Sequence, residues 1–174
     1  MTTRLLVLVS ATFVGWALKR HYADAGADDL LWILTPTAWL VAVVSGVTFE
    51  LQPGEGYLSR EHLFLIEKSC AGVNFMIAAF VMLVFARLQD ARALRAVPRV
   101  LAISLMAAYA AAVIANAVRI VVAMWLAAHQ AALPALSPSD VHRIEGIVVY
   151  FGGLVALFEL SQRLNRRHSA PSRS

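Results

Sequence analysis

The residues of this chain that could do chemistry are a lone cysteine, an arginine and a histidine, each at the end of an apolar segment. Cys70 is the only cysteine among 174 residues, and it begins an uncharged run. A cysteine acts as a nucleophile when a nearby cation or base favours its thiolate and water can reach it. His142 could take the thiol proton and later protonate a leaving amine, and Arg119 could hold the oxyanion of a tetrahedral intermediate. Together they predict thiol-based acyl transfer, provided that the fold brings them to one place.

Three further residues could support such a site. Asn116 precedes Arg119 by three positions, so the two share a helix face and Asn116 could orient the guanidinium. Asn74 follows Cys70 by four positions and shares its face in the same way. Glu67, in the segment that leads into Cys70, is the third supporting candidate.

Each of these residues also has a purely structural interpretation. A lone membrane cysteine is more often a small packing residue than a nucleophile. An arginine at a helix end often extends to lipid headgroups, and an asparagine within a helix often bonds across to its neighbour. His142 follows Ser139 and Asp140, which are typical helix caps, so it could be an ordinary interfacial residue. The residue types alone therefore leave both interpretations open.

Other site chemistries have little support in the sequence. The chain has no His-x-x-x-His pair, no second cysteine and no Gly-x-Ser-x-Gly, so we expect no metal, no other cofactor and no serine nucleophile. His62, which follows Glu61, is the best rival base, and His129 is the second. Because a resolving cysteine is missing, a membrane thiol oxidoreductase is also a poor fit.

The composition is that of an integral membrane protein. Hydrophobic residues make up 60% of the chain, the mean hydropathy is +0.69, and the apolar residues fall in long uncharged blocks. The net charge of +4 comes mostly from cations that flank these blocks, so we expect membrane lipid and no nucleic acid as a partner.

The uncharged blocks predict an all-α integral membrane bundle of about five transmembrane helices. The blocks are Leu5–Leu18, Leu30–Phe49, Cys70–Ala86, Val100–Val118 and Gly146–Phe158. The third helix could begin as early as Leu63, and the last could extend to Leu164. Residues 1–164 would then form a single transmembrane domain, followed at 165–174 by a disordered basic cytoplasmic tail.

Basic residues set the expected orientation of the bundle. Lys19 and Arg20, the segment 87–99 and the C-terminal tail carry most of the cations, so the positive-inside rule places all three in the cytoplasm. A cleaved signal peptide should be neutral where Lys19 and Arg20 stand, so we expect the first helix to be retained. An odd number of crossings with a cytoplasmic C-terminus then places the N-terminus outside.

The same alternation brings the chemical residues to one face of the membrane. Cys70 begins a helix that descends to the cytoplasm, so Cys70 itself starts at the outer surface. The next helix rises from about Val97, and Arg119 is then ~33 Å along it at 1.5 Å per residue, again near the outer surface. His142 lies in the loop that follows. The sequence therefore predicts a site on the extracytoplasmic face of the plasma membrane.

Three blocks of sequence resemble the signature segments of the exosortase/archaeosortase family. They are Ser69–Phe75, Asn116–Ile120 and His142–Gly146, which occur in the family's order, each at a helix boundary. The short chain and the wording Cys-Ala-Gly-Val-Asn-Phe look most like the exosortase K subgroup. The resemblance extends from about Glu67 to Gly153, whereas members of the family generally have more membrane helices.

The resemblance implies a membrane-embedded cysteine transpeptidase. Such enzymes are expected to recognise exported proteins by a C-terminal sorting signal, which consists of a short motif, a membrane helix and a basic cluster. Cleavage would pass through a thioacyl intermediate, and the product would go to an acceptor whose identity stays open. By match to the motifs, Cys70 would be the nucleophile, Arg119 the transition-state stabiliser and His142 the general acid and base.

A non-catalytic membrane protein is the main alternative, either a small assembly factor or a transporter subunit. A transporter should carry polar residues near the middle of the bilayer. The centres of the predicted helices are almost wholly apolar, with Ser45, Asn74, Ser104 and Tyr109 as the main exceptions. That pattern disfavours transport and leaves the assembly factor open.

Overall fold

A computed structural model describes residues 2–90, 93–128 and 138–169, with side chains outside the description at 90, 138–143 and 165–169. The helices are α1 (Thr2–Asp24), α2 (Leu31–Ser45), α3 (Val73–Ala86), α4 (Ala96–Ala128) and α5 (Pro138–Ser169). The strands are β1 (Glu50–Gln52), β2 (Gly56–Ser59) and β3 (Phe64–Ile66). Short 3-10 turns occur at Asp28–Leu30, Lys68–Cys70 and Leu88–Asp90.

The predicted helical membrane bundle is confirmed. Five helical segments of the described chain are long and apolar enough to cross a membrane. Large apolar side chains such as Phe13, Trp39 and Phe151 remain exposed along them, as expected for faces that contact lipid rather than water. The bundle therefore presents large apolar side chains on its outer surface as well as in its core.

The second helix is shorter than predicted. It ends at Ser45 because Gly46 adopts a left-handed conformation (φ 73°), and its N–H bonds to the carbonyl of Ala42. A left-handed glycine is a common helix terminator, since it carries no Cβ to clash. The expectation that this helix continues to Phe49 is wrong.

A small antiparallel sheet occupies a region in which no strand is predicted from the sequence. The strand order is β1-β2-β3, and Tyr57 in β2 pairs with Leu51 on one side and Ile66 on the other. The turn between β1 and β2 contains Gly54, whose N–H donates to both carboxylate oxygens of Asp28, at 2.9 and 3.0 Å. Strand β3 replaces the early start of the third helix, so that helix does not begin at Leu63.

Helix α3 lies in the middle of the bundle, between α1 on one side and α4 and α5 on the other. Its side chains Met76, Ala79 and Phe80 are fully or almost fully buried. On α4, Ala108 and Ala112 are fully buried in the same core. Small residues on a helix face allow close approach of neighbouring helices in a membrane. This packing fixes the relative height of the residues at the helix ends.

Helix α1 runs antiparallel to α3, and this overturns one predicted position. Gly15 of α1 lies against Ile77 of α3, and the Lys19 ammonium donates to Asn74 Oδ1 at 2.8 Å. The C-terminal end of α1 is therefore beside the start of α3, where Cys70 lies. The prediction that Lys19 and Cys70 lie at opposite ends of the bundle is wrong. We call this end of the bundle the thiol end. The end at which α3 finishes is called the opposite end.

Helix α5 runs parallel to α3 and antiparallel to α4. Gly153 of α5 lies against both Phe75 of α3 and Ala115 of α4, and Gly146 lies against Arg119. The C-terminal part of α5 is consequently at the opposite end, together with the N-terminal part of α1. The prediction that the two termini lie at opposite ends of the bundle is therefore wrong as well.

The chain between α1 and α3 explains why the count of helices misled the prediction. This segment leaves the thiol end as α2 and returns to the same end through the sheet. Its outgoing and returning parts are bonded to each other, since the hydroxyls of Thr35 and Tyr57 lie 2.8 Å apart. The segment begins and ends at the thiol end. The other four helices, α1, α3, α4 and α5, therefore alternate in direction, and the start of α1 and the end of α5 lie at the same end of the bundle.

The C-terminal segment is helical further than predicted. Helix α5 continues to Ser169, five residues beyond Leu164, so residues 165–169 are not the disordered tail that the sequence suggested. The remainder of that predicted tail, residues 170–174, lies outside the described residues.

Candidate functional site

Cys70 lies in a tight turn between β3 and α3. Its N–H bonds to the Glu67 carbonyl at 2.9 Å, and the N–H of Ala71 bonds to the Lys68 carbonyl at 3.0 Å. These bonds fix the backbone on both sides of the thiol. The residue is 8% exposed, so the thiol is more enclosed than a position at the mouth of a helix suggests.

Asn116 holds the backbone of this turn from the neighbouring helix. Its side-chain Nδ2 donates to the Cys70 carbonyl, and the whole residue is buried, at 0% exposure. Gly72 makes the approach possible, because a Cβ there would lie 3.3 Å from Asn116 Cγ. Gly72 also has a φ of 65°, which L side chains rarely adopt. Both requirements explain a glycine two residues after the cysteine.

Tyr150 joins Asn116 to Arg119. The Tyr150 hydroxyl donates to Asn116 Oδ1 at 2.9 Å, and Arg119 Nη1 donates to the same hydroxyl at 3.4 Å. The guanidinium carbon also lies 5.5 Å from the centre of the Tyr150 ring, within range of a cation–π interaction. A continuous chain of hydrogen bonds therefore runs from Arg119 through Tyr150 and Asn116 to the Cys70 carbonyl.

Two residues of α5 accommodate the Arg119 side chain. Gly146 leaves room for it, because a Cβ at that position would lie 3.2 Å from Arg119 Nε. Glu145, which is only 6% exposed, is attracted electrostatically by Arg119. A cation near a buried carboxylate offsets part of the penalty of removing that carboxylate from water. Arg119 is therefore a half-buried residue that packs against α5, rather than one that extends to lipid headgroups.

The Cys70 thiol lies beside a short polar pair. The Ser69 hydroxyl donates to Glu67 Oε1 at 2.8 Å and lies 3.8 Å from Cys70 Sγ. Both Ser69 and Glu67 are exposed. Glu67, predicted as a supporting residue, is thus two contacts from the thiol.

Asn74 does not join the cluster around Cys70. It is exposed, and its side-chain oxygen accepts a hydrogen bond from Lys19. Lys68 instead ties the cysteine turn to α1, because its ammonium donates to the carbonyls of Ala23 and Ala25 at 3.2 and 2.7 Å. Such a cation at a helix C-terminus satisfies carbonyls that have no partner within the helix. These contacts anchor the segment that carries the thiol.

The predicted bases are described only in part. His142 lies in the first turns of α5, one helical turn before Gly146, and not in a loop. Its side chain is outside the described residues, so its role as acid and base stays a prediction. His62 is exposed in the turn between β2 and β3, and His129 lies outside the described residues.

The sequence did not identify Tyr150, Glu145 or Ser69. One signal could have found Tyr150: His142, Gly146 and Tyr150 are spaced by four residues and share one face of a helix. Among the described residues, no group of His, Cys, Asp and Glu side chains could hold a metal ion. The described cluster is therefore a thiol, an amide, a phenol and a guanidinium, with an acid beside the last.

Comparison with protein-family models, with curated proteins and with solved structures finds no match for this chain.

Proposed function

We propose that this protein is a membrane-embedded cysteine transpeptidase or protease, which cleaves a C-terminal sorting signal from exported proteins and passes the product to an acceptor. The observation that carries the proposal is the chain of hydrogen bonds that links the Cys70 turn to Arg119 through the buried Asn116 and the half-buried Tyr150. The resemblance of the three sequence blocks to exosortases supports the same assignment.

In the proposed reaction, Cys70 Sγ attacks the carbonyl carbon of the scissile peptide bond as its proton passes to His142. Arg119 stabilises the oxyanion of the tetrahedral intermediate with its fixed charge. His142 then protonates the leaving amine as the C–N bond breaks, which leaves a thioester on Cys70. An acceptor amine or water attacks this thioester and restores the thiol.

We place the thiol end on the extracytoplasmic side of the plasma membrane. The opposite end carries the basic residues Arg87, Arg95, Arg99 and Arg163, which the positive-inside rule assigns to the cytoplasm. Both termini are then cytoplasmic. A substrate with its own membrane helix and a cytoplasmic basic cluster would lie alongside the bundle, with its cleavage point level with Cys70.

Reporters fused to either terminus should therefore both report a cytoplasmic location. An enzyme that is active only in the cytoplasm, fused before Thr2 in one strain and after Arg173 in another, gives the readout. Cys70 supplies the complementary test, since a membrane-impermeant maleimide added to intact cells should reach it from outside. An external signal from the N-terminal fusion alone would contradict the shared end of the two termini.

The function itself is tested by comparing protein C-termini in cells with and without this chain. We expect a small set of exported proteins, each ending in a membrane helix and a basic cluster, to lose that segment only when the chain is present. Mass spectrometry of C-terminal peptides identifies the cleavage point and any added acceptor. Identical C-termini in both strains would contradict the proposal.

One observation favours the alternative of a non-catalytic membrane protein, such as an assembly factor. Cys70 is largely enclosed, and a buried cysteine is often a small packing residue. This alternative predicts unchanged C-termini together with the loss of some membrane complex in cells that lack the chain. The same pair of strains distinguishes the two functions.

A further inference from the structure

We infer that Tyr150 is the positioning residue of this site, because its hydroxyl bonds both the Asn116 amide and the Arg119 guanidinium. Asn116 in turn donates to the Cys70 carbonyl. The inference rests on the proposed function and adds to it a residue that lies outside the three sequence blocks. Tyr150 acts through its neighbours, so the proposed roles of Cys70, Arg119 and His142 are unchanged.

The hydroxyl of Tyr150 serves as donor and acceptor at once. It donates to Asn116 Oδ1 at 2.9 Å and accepts from Arg119 Nη1 at 3.4 Å. Each contact fixes a different part of the site. The first sets which way the Asn116 amide points, and that orientation directs Nδ2 to the Cys70 carbonyl. The second holds the guanidinium next to the amide.

The ring of Tyr150 is held independently of its hydroxyl. It packs against Phe75, with ring centres 5.3 Å apart and planes inclined by 34°. Phe75 is itself buried and packs closely against Gly153, where a Cβ would lie 3.3 Å from the Phe75 ring. Phenylalanine at position 150 should therefore keep this packing and lose only the hydrogen bonds. The substitution therefore measures the contribution of the hydroxyl alone.

Loss of the hydroxyl should disturb both neighbours in a defined way. The oxygen of the buried Asn116 amide would lose its hydrogen-bond donor, and a buried polar atom without a partner favours rearrangement. The amide would then turn or shift, which loosens the turn that carries Cys70. Arg119 would lose one of the contacts that set its position relative to the thiol.

Tyr150→Phe should therefore lower kcat by about 10- to 100-fold, with KM near the wild-type value, because misplacement of reacting groups slows the chemical step. The assay follows release of the C-terminal segment from a substrate identified by the comparison of C-termini. In an Arg119→Lys background the same substitution should have a much smaller effect, since the two residues act as a unit. Tyr109→Phe is the matched control. Its hydroxyl bonds the Trp32 carbonyl at 2.7 Å, about 10 Å along α4 from Asn116, so processing should not change.

A second readout separates this inference from the proposed function. In detergent, Cys70 in Tyr150→Phe should react with iodoacetamide several-fold faster than in the wild type, because a loosened turn opens more often, whereas Tyr109→Phe should react at the wild-type rate. Wild-type turnover in Tyr150→Phe would overturn the inference and leave the proposed function intact. If the wild type processes nothing, the proposed function fails, and the alkylation rates alone decide: a faster rate supports the positioning role and an unchanged rate overturns it.

Discussion

Replacing Cys70 with alanine should abolish processing of exported proteins, while the protein remains folded and inserted. Alanine removes the sulfur that would form the thioester and keeps the backbone carbonyl to which Asn116 donates. The contact between the turn and α4 therefore survives the substitution. We expect a stability change on the order of 1 kcal/mol, which is typical of a small buried truncation. Immunoblots for the uncleaved C-terminal segment of a substrate measure the loss of processing.

Cys70→Ser provides the matched comparison, because it keeps the shape of the side chain and replaces the thiol by a far weaker nucleophile. Both variants should accumulate intact substrate to the same extent and reach the membrane in wild-type amounts. Processing at the wild-type rate in either variant would show that the thiol is not the nucleophile. A failure of both variants to insert would instead assign Cys70 a packing role.

The helices were predictable because long apolar runs in a chain this hydrophobic almost always form membrane helices, which satisfy the backbone hydrogen bonds within the segment. The sheet was not, since its strands are only three or four residues long and period-two alternation is hard to recognise over such lengths. The end of α2 was missed for a related reason. Gly46 ends the helix within an apolar run, and hydrophobicity alone does not show where a backbone becomes left-handed.

The orientation of the N-terminus shows how one local feature misled a global argument. Lys19 and Arg20 were counted as cytoplasmic cations, yet Lys19 bonds Asn74 beside the cysteine turn. The error at the N-terminus comes from counting the segment that contains α2 as a full crossing, because five crossings with a cytoplasmic C-terminus place the N-terminus outside. A segment that leaves and returns at one end of the bundle cannot be distinguished by hydropathy from one that crosses.

The candidate site was predictable in its members more than in its connections. Asn116 was expected to orient Arg119, since they share a helix face. The described contacts of Asn116 instead are to the Cys70 carbonyl and to Tyr150, and Tyr150 makes the link to Arg119. Spacing along one helix gives shared faces, whereas Tyr150 enters from another helix and depends on packing that a single sequence does not reveal.

Arg119→Lys should reduce processing about 100-fold, close to the effect of removing one donor from an oxyanion site. The charge is kept, so the attraction for the buried Glu145 persists and the fold should survive. The geometry is not kept, because a single ammonium cannot reproduce the planar fork that donates to Tyr150. The defect should therefore appear in kcat, in a protein present at wild-type amounts.

Arg20→Lys is the matched control for this substitution. Arg20 is exposed at the end of α1, where its Nε lies 3.1 Å from an oxygen of Asp24, and exposed ion pairs contribute little to stability. The same chemical change there should leave processing untouched. Full activity in Arg119→Lys would remove its role in the transition state, because a charge without the fork would then suffice. Loss of activity in both variants would point to a general effect of lysine on insertion, and membrane amounts of the two proteins measure that directly.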